Sequence, residues 1–597
     1  MKKFLLILLI LIITVGVVYY LYRPEAVRPV ARLVPRDACL FFSVVKGEAA
    51  WKKVEGSGWW RSVSEVEALS KMRDTIASVA GRQALELGLD LKQGHLLELL
   101  GEEVGIAVVP GVRSGGTLLL LARSSGSLPG DIMDNLENSG IYRCDAGSYR
   151  GARMLLLRTT GGKGSVRGVC HIRDILAFAV SDEDPLAVLR QVVDLVRGRG
   201  KDSLAESDIY RQVVSVSGEA SESSAVAYFD FSGVEEGDEL LPGCLDIPGD
   251  LSGQLDLAKR SIIVSLKQMK AGGGVARFEG GLRATLYYIP DLGRMDEASR
   301  ELLRVKPKKL KSLKLIPAPQ MLYSASLLGD AGDLWESFIA WIEQTIPAAA
   351  PGVRGAVGEW ETATGLSLER DLLPVIGDEM AYCVSPPGGG QLLPLVPELG
   401  LIFRLKDIRG ARSVMDKMAA SMKAGEGVPG EESAAIPGES GTGAGVEEVR
   451  QPETEMYKGH TITFMPTGFI GLCPVYTLLG DFFVAASDIG LMRAMIDVWL
   501  GEKESVNASS LYGSLCHEFG ETASGVTFVD MGLSLDYLKS LSRVFSSLMN
   551  IAPGEGGQRT DFTPFLDSLG VVKYIYTKTD TSEEVVKQVI FVKVEDI

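Results

Sequence analysis

The chain has 597 residues, of which 46% are hydrophobic and 23% charged, and its formal net charge is −16. A single hydrophobic core stops growing at about 250–300 residues, so we expect at least two domains. The acidic balance argues against a nucleic-acid-binding protein, because binding to phosphates requires clustered Lys and Arg.

The amino terminus has the composition of a membrane anchor. Residues 4–22 carry no charge, and as a helix they would span roughly 28 Å. Lys2 and Lys3 precede this run, tyrosines gather at its far end, and no small-residue cleavage site follows it. The sequence therefore predicts a short cytoplasmic tail at 1–3, one uncleaved transmembrane anchor at 4–22 and a juxtamembrane linker at 23–32.

The orientation of this anchor is predicted from the length of the chain that follows it. Arginines in the linker oppose an inside amino terminus, but long domains translocate largely regardless of their charge. We therefore expect a single-pass protein of the cytoplasmic (inner) membrane, with the bulk of the chain on the periplasmic or extracellular side.

Several stretches of the first half recur in the same order in the second half. LVPRDACLFFSVV pairs with LIPAPQMLYSASL, LLGEEVGIAV with PVIGDEMAYCV, and AVAYFDFSG with GVTFVDMGL. The sequence therefore predicts two tandem related units, at 33–292 and 315–597, joined by a basic linker at 293–314. A Gly-, Pro-, Ser- and Glu-rich stretch at 424–448 has little to bury, which predicts a disordered insertion in the second unit.

The elements of each unit alternate in type along the chain. CLFFSVV, EVGIAVV, TLLLLAR and ILAFAVS predict strands, and YRCDAGSYRGARMLLLR predicts a hairpin. DPLAVLRQVVDLV predicts a helix capped by Asp184 with Pro185 in its first turn, and DLWESFIAWIEQTI predicts a helix whose apolar face includes Phe338 and Ile342. Strands joined by short turns, with helices between hairpins, predict an α+β fold of mostly antiparallel sheet.

Two pairs of consecutive acids occupy matching places in the two units. They are Glu102–Glu103 in LLGEEVGIAVVPG and Asp378–Glu379 in VIGDEMAYCVSPPGG. Such acids could ligate a hard cation or act as acid and base. Neighbours in a strand point to opposite faces, however, so consecutive acids do not readily converge on one ion. We interpret both pairs as the solvated start of a buried strand, after a turn supplied by the preceding glycine.

The scarce histidines predict no zinc site. His171 and His517 each lie next to a cysteine, but adjacent residues are poorly placed to share a metal ion. His95 and His460 have no such neighbour. The seven cysteines are scattered and predict no disulfide framework, and the matching positions of two of them indicate core packing. These two are Cys170 and Cys473.

Other patterns that could carry chemistry have ordinary structural interpretations. The chain has no GxSxG elbow, and GGKGSVRG and GGGVARFEGG lack phosphate-loop spacing, so we interpret their glycines as hairpin turns. Trp51, Trp59 and Trp60 lie close together, which indicates core or interface packing or, alternatively, a binding patch. The basic run RVKPKKLKSLK is interpreted as a solvated linker, with an anionic-lipid or polymer contact as the alternative.

Three of these motifs carry a family resemblance. The LVP-x-D-A-x-L-F-F-x-V opening, the LLG-x-E-V-x-I-A-V strand and the ILAFAVSD join resemble bacterial envelope proteins of the domain-of-unknown-function family numbered 3352. The resemblance spans 33–290 and, with fewer matching positions, 315–595, where the acid after the opening proline is missing. The family has no assigned activity, so the resemblance implies no site residue.

We therefore expect an anchored envelope protein whose two units act as a non-enzymatic binding or scaffold module. No catalytic, cofactor-binding or metal-binding residue is assigned, and no cofactor is expected. The expected partners are the membrane, through the amino-terminal helix, and envelope proteins or lipid. Two alternatives remain open: a carrier of an apolar ligand such as a lipid, which would need a large apolar cavity, and an envelope hydrolase, which would need Ser, His and acidic groups in one cleft.

Overall fold

The computed structural model describes residues 30–45, 102–111, 116–124, 127–138, 140, 142–159, 166–181, 184–198, 202–215, 225–232, 267–278, 281–347, 349–387, 396–424, 453–464, 474–549 and 563–595. The predicted anchor, the linker up to residue 29 and residues 425–448 of the predicted insertion lie outside these ranges. Within the ranges, no helix is both long enough and apolar enough to cross a bilayer.

Twenty strands are described. They are β1 (Leu40–Val45), β2 (Glu103–Val109), β3 (Thr117–Arg123), β4 (Tyr142–Tyr149), β5 (Ala152–Thr159), β6 (Val166–Ile172), β7 (Ile175–Ser181), β8 (Ala225–Asp230), β9 (Met269–Phe278), β10 (Leu282–Pro290), β11 (Leu322–Leu327), β12 (Ile376–Ser385), β13 (Glu398–Leu405), β14 (Glu453–Tyr457), β15 (His460–Phe464), β16 (Val475–Leu479), β17 (Phe482–Ala486), β18 (Gly525–Asp530), β19 (Val572–Asp580) and β20 (Val586–Val594).

The described α-helices are α1 (Leu128–Asn138), α2 (Pro185–Val196), α3 (Asp208–Ser215), α4 (Glu297–Arg304), α5 (Ala331–Thr345), α6 (Ala350–Thr364), α7 (Ile408–Ala424), α8 (Ile489–Trp499), α9 (Ser510–Phe519), α10 (Met531–Met549) and α11 (Thr563–Ser568). Two short 3-10 turns each precede the first strand of a unit. We call them entry turn 1 (Val30–Leu33) and entry turn 2 (Ser312–Leu315).

The chain divides into two compact units. Unit 1 contains Met1–Met295, Thr560–Ile575 and Glu583–Ile597, and unit 2 contains Asp296–Arg559 and Tyr576–Ser582. Both combine antiparallel strands with helices, which confirms the predicted α+β class. The carboxyl-terminal strand β20 belongs to unit 1, where it pairs with β10, although the sequence boundary at 315 assigned it to the second unit.

The strands of unit 1 pair in the order β4-β5-β6-β7-β3-β2-β1-β8-β9-β10-β20, and each pair is antiparallel. Apolar side chains pack on both faces of this sheet. One cluster contains side chains of α2, α3 and entry turn 1, and a second contains those of α1. Burial on both faces explains why strands such as β7 are uninterrupted apolar runs in the sequence.

The strands of unit 2 pair in the order β14-β15-β16-β17-β13-β12-β11-β18, again antiparallel throughout. This order is the same as the order β4-β5-β6-β7-β3-β2-β1-β8 of unit 1, with β11 in the place of β1 and each later strand in the corresponding place. The following helices are also similarly capped: Asp184 accepts from the Leu186 N–H at the start of α2, and Asp488 from the Gly490 N–H at the start of α8. The predicted cap at Asp184 is therefore confirmed.

Gly272, Gly273 and Gly274 lie inside strand β9, so the interpretation of GGGVARFEGG as a hairpin turn is wrong for these three glycines. Gly281 of the same stretch lies between the antiparallel strands β9 and β10, as that interpretation expects. A Cβ atom on Gly273 would lie 2.4 Å from the Ala227 carbonyl oxygen and 2.6 Å from Val213 Cγ1. A Cβ on Gly274 would lie 2.5 Å from the Thr285 carbonyl oxygen. These glycines therefore allow β8, β10 and α3 to approach the strand closely, which is the usual meaning of glycine inside a strand.

Residues 293–314 were expected from sequence to be a basic linker, but residues 296–314 contribute to the core of unit 2. They contain α4 and entry turn 2, and Leu303, Leu310 and Leu313 are buried. Lys314 lies over the ring of Trp499 at 4.6 Å. The apolar positions between the lysines are therefore packed rather than solvated.

Candidate functional site

The paired acids lie at the beginning of the second strand of each unit, with one acid exposed and the other buried. Glu103 is 3% exposed and Glu379 is 0% exposed, whereas the side chain of Asp378 is 49% exposed and Glu102 is partly exposed. Successive strand residues face opposite sides, as expected. The interpretation of both pairs as solvated is therefore wrong for the second acid of each pair.

Glu103 binds the backbone of entry turn 1. Its Oε1 accepts a hydrogen bond from the Val30 N–H at 2.8 Å. The first N–H groups of a helical turn have no partner within the turn, so the carboxylate supplies one. Gly105 lies on the same face two residues later, and a Cβ there would lie 2.7 Å from Val30 Cγ1. The two residues together seat the turn: Glu103 binds its N–H, and Gly105 leaves room for its side chain.

The surroundings of Glu103 disfavour its ionised form. Burial raises the pKa of Glu103 to about 7, and the opposing effects of the Val30 N–H and the Arg123 charge are smaller. Arg123 lies directly opposite Glu103 in β3, but its guanidinium also contacts Asp174, with Nε and Oδ2 3.5 Å apart. Burial, followed by the charge of Glu103, raises the pKa of Tyr210. A carboxyl that titrates near neutral pH therefore lies inside unit 1.

Glu379 binds entry turn 2 through two donors. Its Oε1 accepts from both the Ser312 N–H and the Ser312 hydroxyl, each at 2.6 Å. The residue two positions later is the buried Ala381. The other carboxylate oxygen of Glu379, Oε2, is buried and has no hydrogen-bond partner among the described residues. Both units therefore use a buried glutamate to hold the turn before the first strand.

A row of charges lies on the outer side of β12. Asp378 pairs with Lys308 and with Arg404 Nη1, the latter at 3.2 Å, and Arg404 Nε reaches Asp481 at 3.0 Å. Burial alone would raise the pKa of Asp378, but the hydrogen bond and charge of Lys308 and the charge of Arg404 outweigh it and lower the pKa. The outer acid of this pair is thus used in a surface ion-pair network rather than left free.

Among the described residues, the remaining sequence candidates do not form a metal site or a catalytic group. Cys170 is buried in the core of unit 1, and burial raises the pKa of its thiol to about 12, which suits a packing role. His171 Nε2 lies 2.8 Å from the Arg173 carbonyl oxygen. Within the described ranges, no group of three or more His, Cys, Asp and Glu side chains could hold a metal ion. His95, Cys473 and the three clustered tryptophans, Trp51, Trp59 and Trp60, lie outside those ranges.

A shallow hollow on α9 brings serine, histidine and an acid together. It is lined by Ser510, Gly513, Ser514, His517 and Glu518. The Ser514 hydroxyl donates to the Ser510 carbonyl oxygen at 3.0 Å. A serine nucleophile is activated by a hydrogen bond to its base, whereas this hydroxyl donates along its own helix.

Comparison with known proteins places the chain in a family. Residues 4–428 match the family described as protein of unknown function, DUF3352. The chain belongs to this family. The match includes both acid pairs of this DUF3352 protein, and the suspected resemblance is confirmed. No curated protein and no solved structure matches the chain.

The burial of Glu103 and Glu379 had a signal in the sequence that the interpretation of the acids overlooked. Glu103 has the same parity in its strand as Gly105 and Ala107, which face the core together with Val109. A residue at such a position faces the core whatever its charge. Strand β2 is buried on both faces, so its continuous apolar run was a better guide to the burial of Glu103 than the polarity of the side chain.

Proposed function

We propose that this DUF3352 protein is a membrane-anchored envelope protein and that its two units act as a non-enzymatic binding or scaffold module. The uncharged run at 4–22 supports the anchor, since it has the length and flanks of a transmembrane helix. The surface of unit 2 supports the binding role.

The observation that carries the binding role is an apolar patch on the sheet of unit 2. Tyr382 and Leu401 are direct cross-strand partners, and Leu399 lies two residues before Leu401 on the same face. Their exposed fractions are 38%, 37% and 50%, respectively. Contiguous exposed apolar side chains often mark interaction sites. We call these three residues the sheet patch.

The corresponding surface of unit 1 is covered. The strand pair β2–β3 places Ile106 opposite Leu120, where unit 2 has Tyr382 opposite Leu401. Ile106 is buried and Leu120 is packed against the cluster that contains α1. The exposure of the sheet patch is therefore a property of unit 2 rather than of this strand arrangement in general.

Photo-crosslinking in intact cells tests the binding role. A photoreactive residue in place of Leu399 is expected to capture one reproducible envelope protein, and Leu401→Asp is expected to abolish the adduct. The same photoreactive residue in place of Leu511, an apolar residue of α9 with 39% exposure, is the control. Adducts with lipid alone would favour the alternative of a carrier for an apolar ligand. Adducts identical to those of the Leu511 control would overturn the proposal.

Reporter fusions test the anchor. Fusions after Tyr22 and after Ile597 are both expected to report a location outside the cytoplasm. A cytoplasmic signal from either fusion would contradict the proposed topology.

We further infer that the two units are copies of one ancestral unit. The same order of strand pairings supports this, as do the equivalent contacts between a glutamate and an entry turn. Two isolated bridges also match, Pro35 with Ser203 and Pro317 with Ser505. Experimental coordinates in which β1 to β8 fail to superpose on β11 to β18 would contradict the inference.

A further inference from the structure

Entry turn 1 is packed in the core of unit 1, and several contacts hold it there. Val30, Ala31 and Val34 are buried in the main cluster. The Val34 carbonyl accepts from the Leu204 N–H at 2.8 Å, and the Val30 N–H donates to Glu103. Release of the turn would therefore expose both an apolar surface and the carboxyl of Glu103.

The groups that face Glu103 come from three packed elements. Entry turn 1 contributes the Val30 N–H, and its charged residue, Arg32, is exposed. Strand β3 contributes Arg123, whose charge is shared with Asp174, and α3 contributes the hydroxyl of Tyr210. On the other side of β2, the register places Val45 of β1 opposite Glu103. The Val30 N–H, the Tyr210 hydroxyl and one shared cation therefore face a carboxyl that is almost entirely removed from water.

We propose that Glu103 is a pH-operated latch for entry turn 1: its protonated form holds the turn in the core, and its ionisation favours a state in which the turn is released and the carboxylate is hydrated. The geometry supplies the closed state, in which the buried Glu103 side chain accepts from the Val30 N–H and the turn is packed in the core. The second state of the proposal is the one in which the turn has left the core and water reaches the carboxylate.

The direction of the pH effect follows from linkage. A hydrated glutamate ionises near its ordinary pKa of 4.5, whereas burial raises the pKa of Glu103 in the closed state to about 7. Between these values the closed state binds the proton and the open state does not. The closed state is therefore most favoured below the lower value, loses stability as the pH rises, and changes no further above about pH 7. Within the window, the opening constant can rise by up to about tenfold per pH unit.

Hydrogen exchange read by mass spectrometry on the full chain in lipid nanodiscs tests the latch. The readout is the opening constant of peptides that cover residues 30–45, corrected for intrinsic exchange, between about pH 5 and pH 8. In the wild type it is expected to rise severalfold per pH unit up to about pH 7 and then to level off. In Glu103→Gln, which keeps an oxygen acceptor but cannot ionise, it is expected to stay constant.

Glu379→Gln is the matched control, because it changes the equivalent acid of unit 2 and should leave the pH response of residues 30–45 intact. A pH response that persists in Glu103→Gln would overturn the latch. A wild-type opening constant that does not change between about pH 5 and pH 7 would also overturn it, and this result requires no variant to fold.

Discussion

Glu103 and Glu379 occupy the same place in their units but are held by different neighbours. In unit 1 a large residue, Val30, fits above a residue without a side chain, Gly105, and one backbone N–H reaches the acid. In unit 2 the smaller Ser312 lies at the turn, Ala381 is the residue two positions after the acid, and the serine hydroxyl adds a second donor. Unit 1 thus has the larger side chain at the turn and none in the strand. Unit 2 has a smaller side chain at the turn, which adds a hydrogen bond, and a methyl group in the strand.

This difference shows which property of the two contacts is shared. The shared property is a buried carboxyl oxygen that accepts from the first N–H of the entry turn. The side chain at the turn and the residue two positions after the acid vary together, as expected where cores conserve total volume. Exchanging these residues between the units therefore tests the comparison directly.

Removal of the acids should give the largest effect and should be greater in unit 2. Glu379→Ala leaves the N–H and the hydroxyl of Ser312 buried without an acceptor, and each such donor costs about 1–3 kcal/mol. Glu103→Ala leaves only the Val30 N–H and costs about 1–3 kcal/mol in total. The measurement is the free energy of local opening from hydrogen exchange in β12 and β2. Equal losses in the two units would contradict the comparison.

Changes in side-chain size at Val30 and Gly105 should have an intermediate effect on the free energy of local opening. Gly105→Ala places a Cβ against Val30 and should cost about 1–3 kcal/mol, the usual range for overpacking. Val30→Ser combined with Gly105→Ala introduces the pair found in unit 2 and should recover most of that loss. The coupling free energy from a double-mutant cycle, read by hydrogen exchange in residues 30–45, is the measurement.

The single variant Val30→Ser serves as the reference for this cycle, since it removes apolar contacts without relieving any clash. Simple additivity of the two single variants would show that Gly105 serves another purpose. A coupling free energy that favours the double variant would support the exchange of volume between turn and strand.

The sequence predicted elements that are specified locally and missed those that depend on distant neighbours. The strands EVGIAVV and ILAFAVS were predictable because burial on both faces leaves continuous apolar runs, and the cap at Asp184 needs only its own helix. The partner of the buried Glu103 is Val30, which lies 73 residues away in the chain, so the contact itself could not be predicted from the strand. Gly273 is required because of Ala227 and Val213, two close neighbours that no local pattern shows.

Of the three sets of substitutions, removal of the serine hydroxyl of entry turn 2 should change the free energy of local opening least. Ser312→Ala keeps the backbone donor to Glu379 and removes the hydroxyl donor, so unit 2 would then resemble unit 1 in its number of donors. The expected loss in the free energy of local opening is about 1 kcal/mol, the usual net value of one hydrogen bond. Ser514→Ala on α9, whose hydroxyl bonds only locally to Ser510 at an exposed position, is the matched control and should change the free energy by less than about 0.5 kcal/mol. If Ser312→Ala has no greater effect than this control, the backbone N–H alone holds entry turn 2. The donors to the two glutamates would then be equivalent in their effect on stability, and the difference in volume between Val30 with Gly105 and Ser312 with Ala381 would remain to be tested.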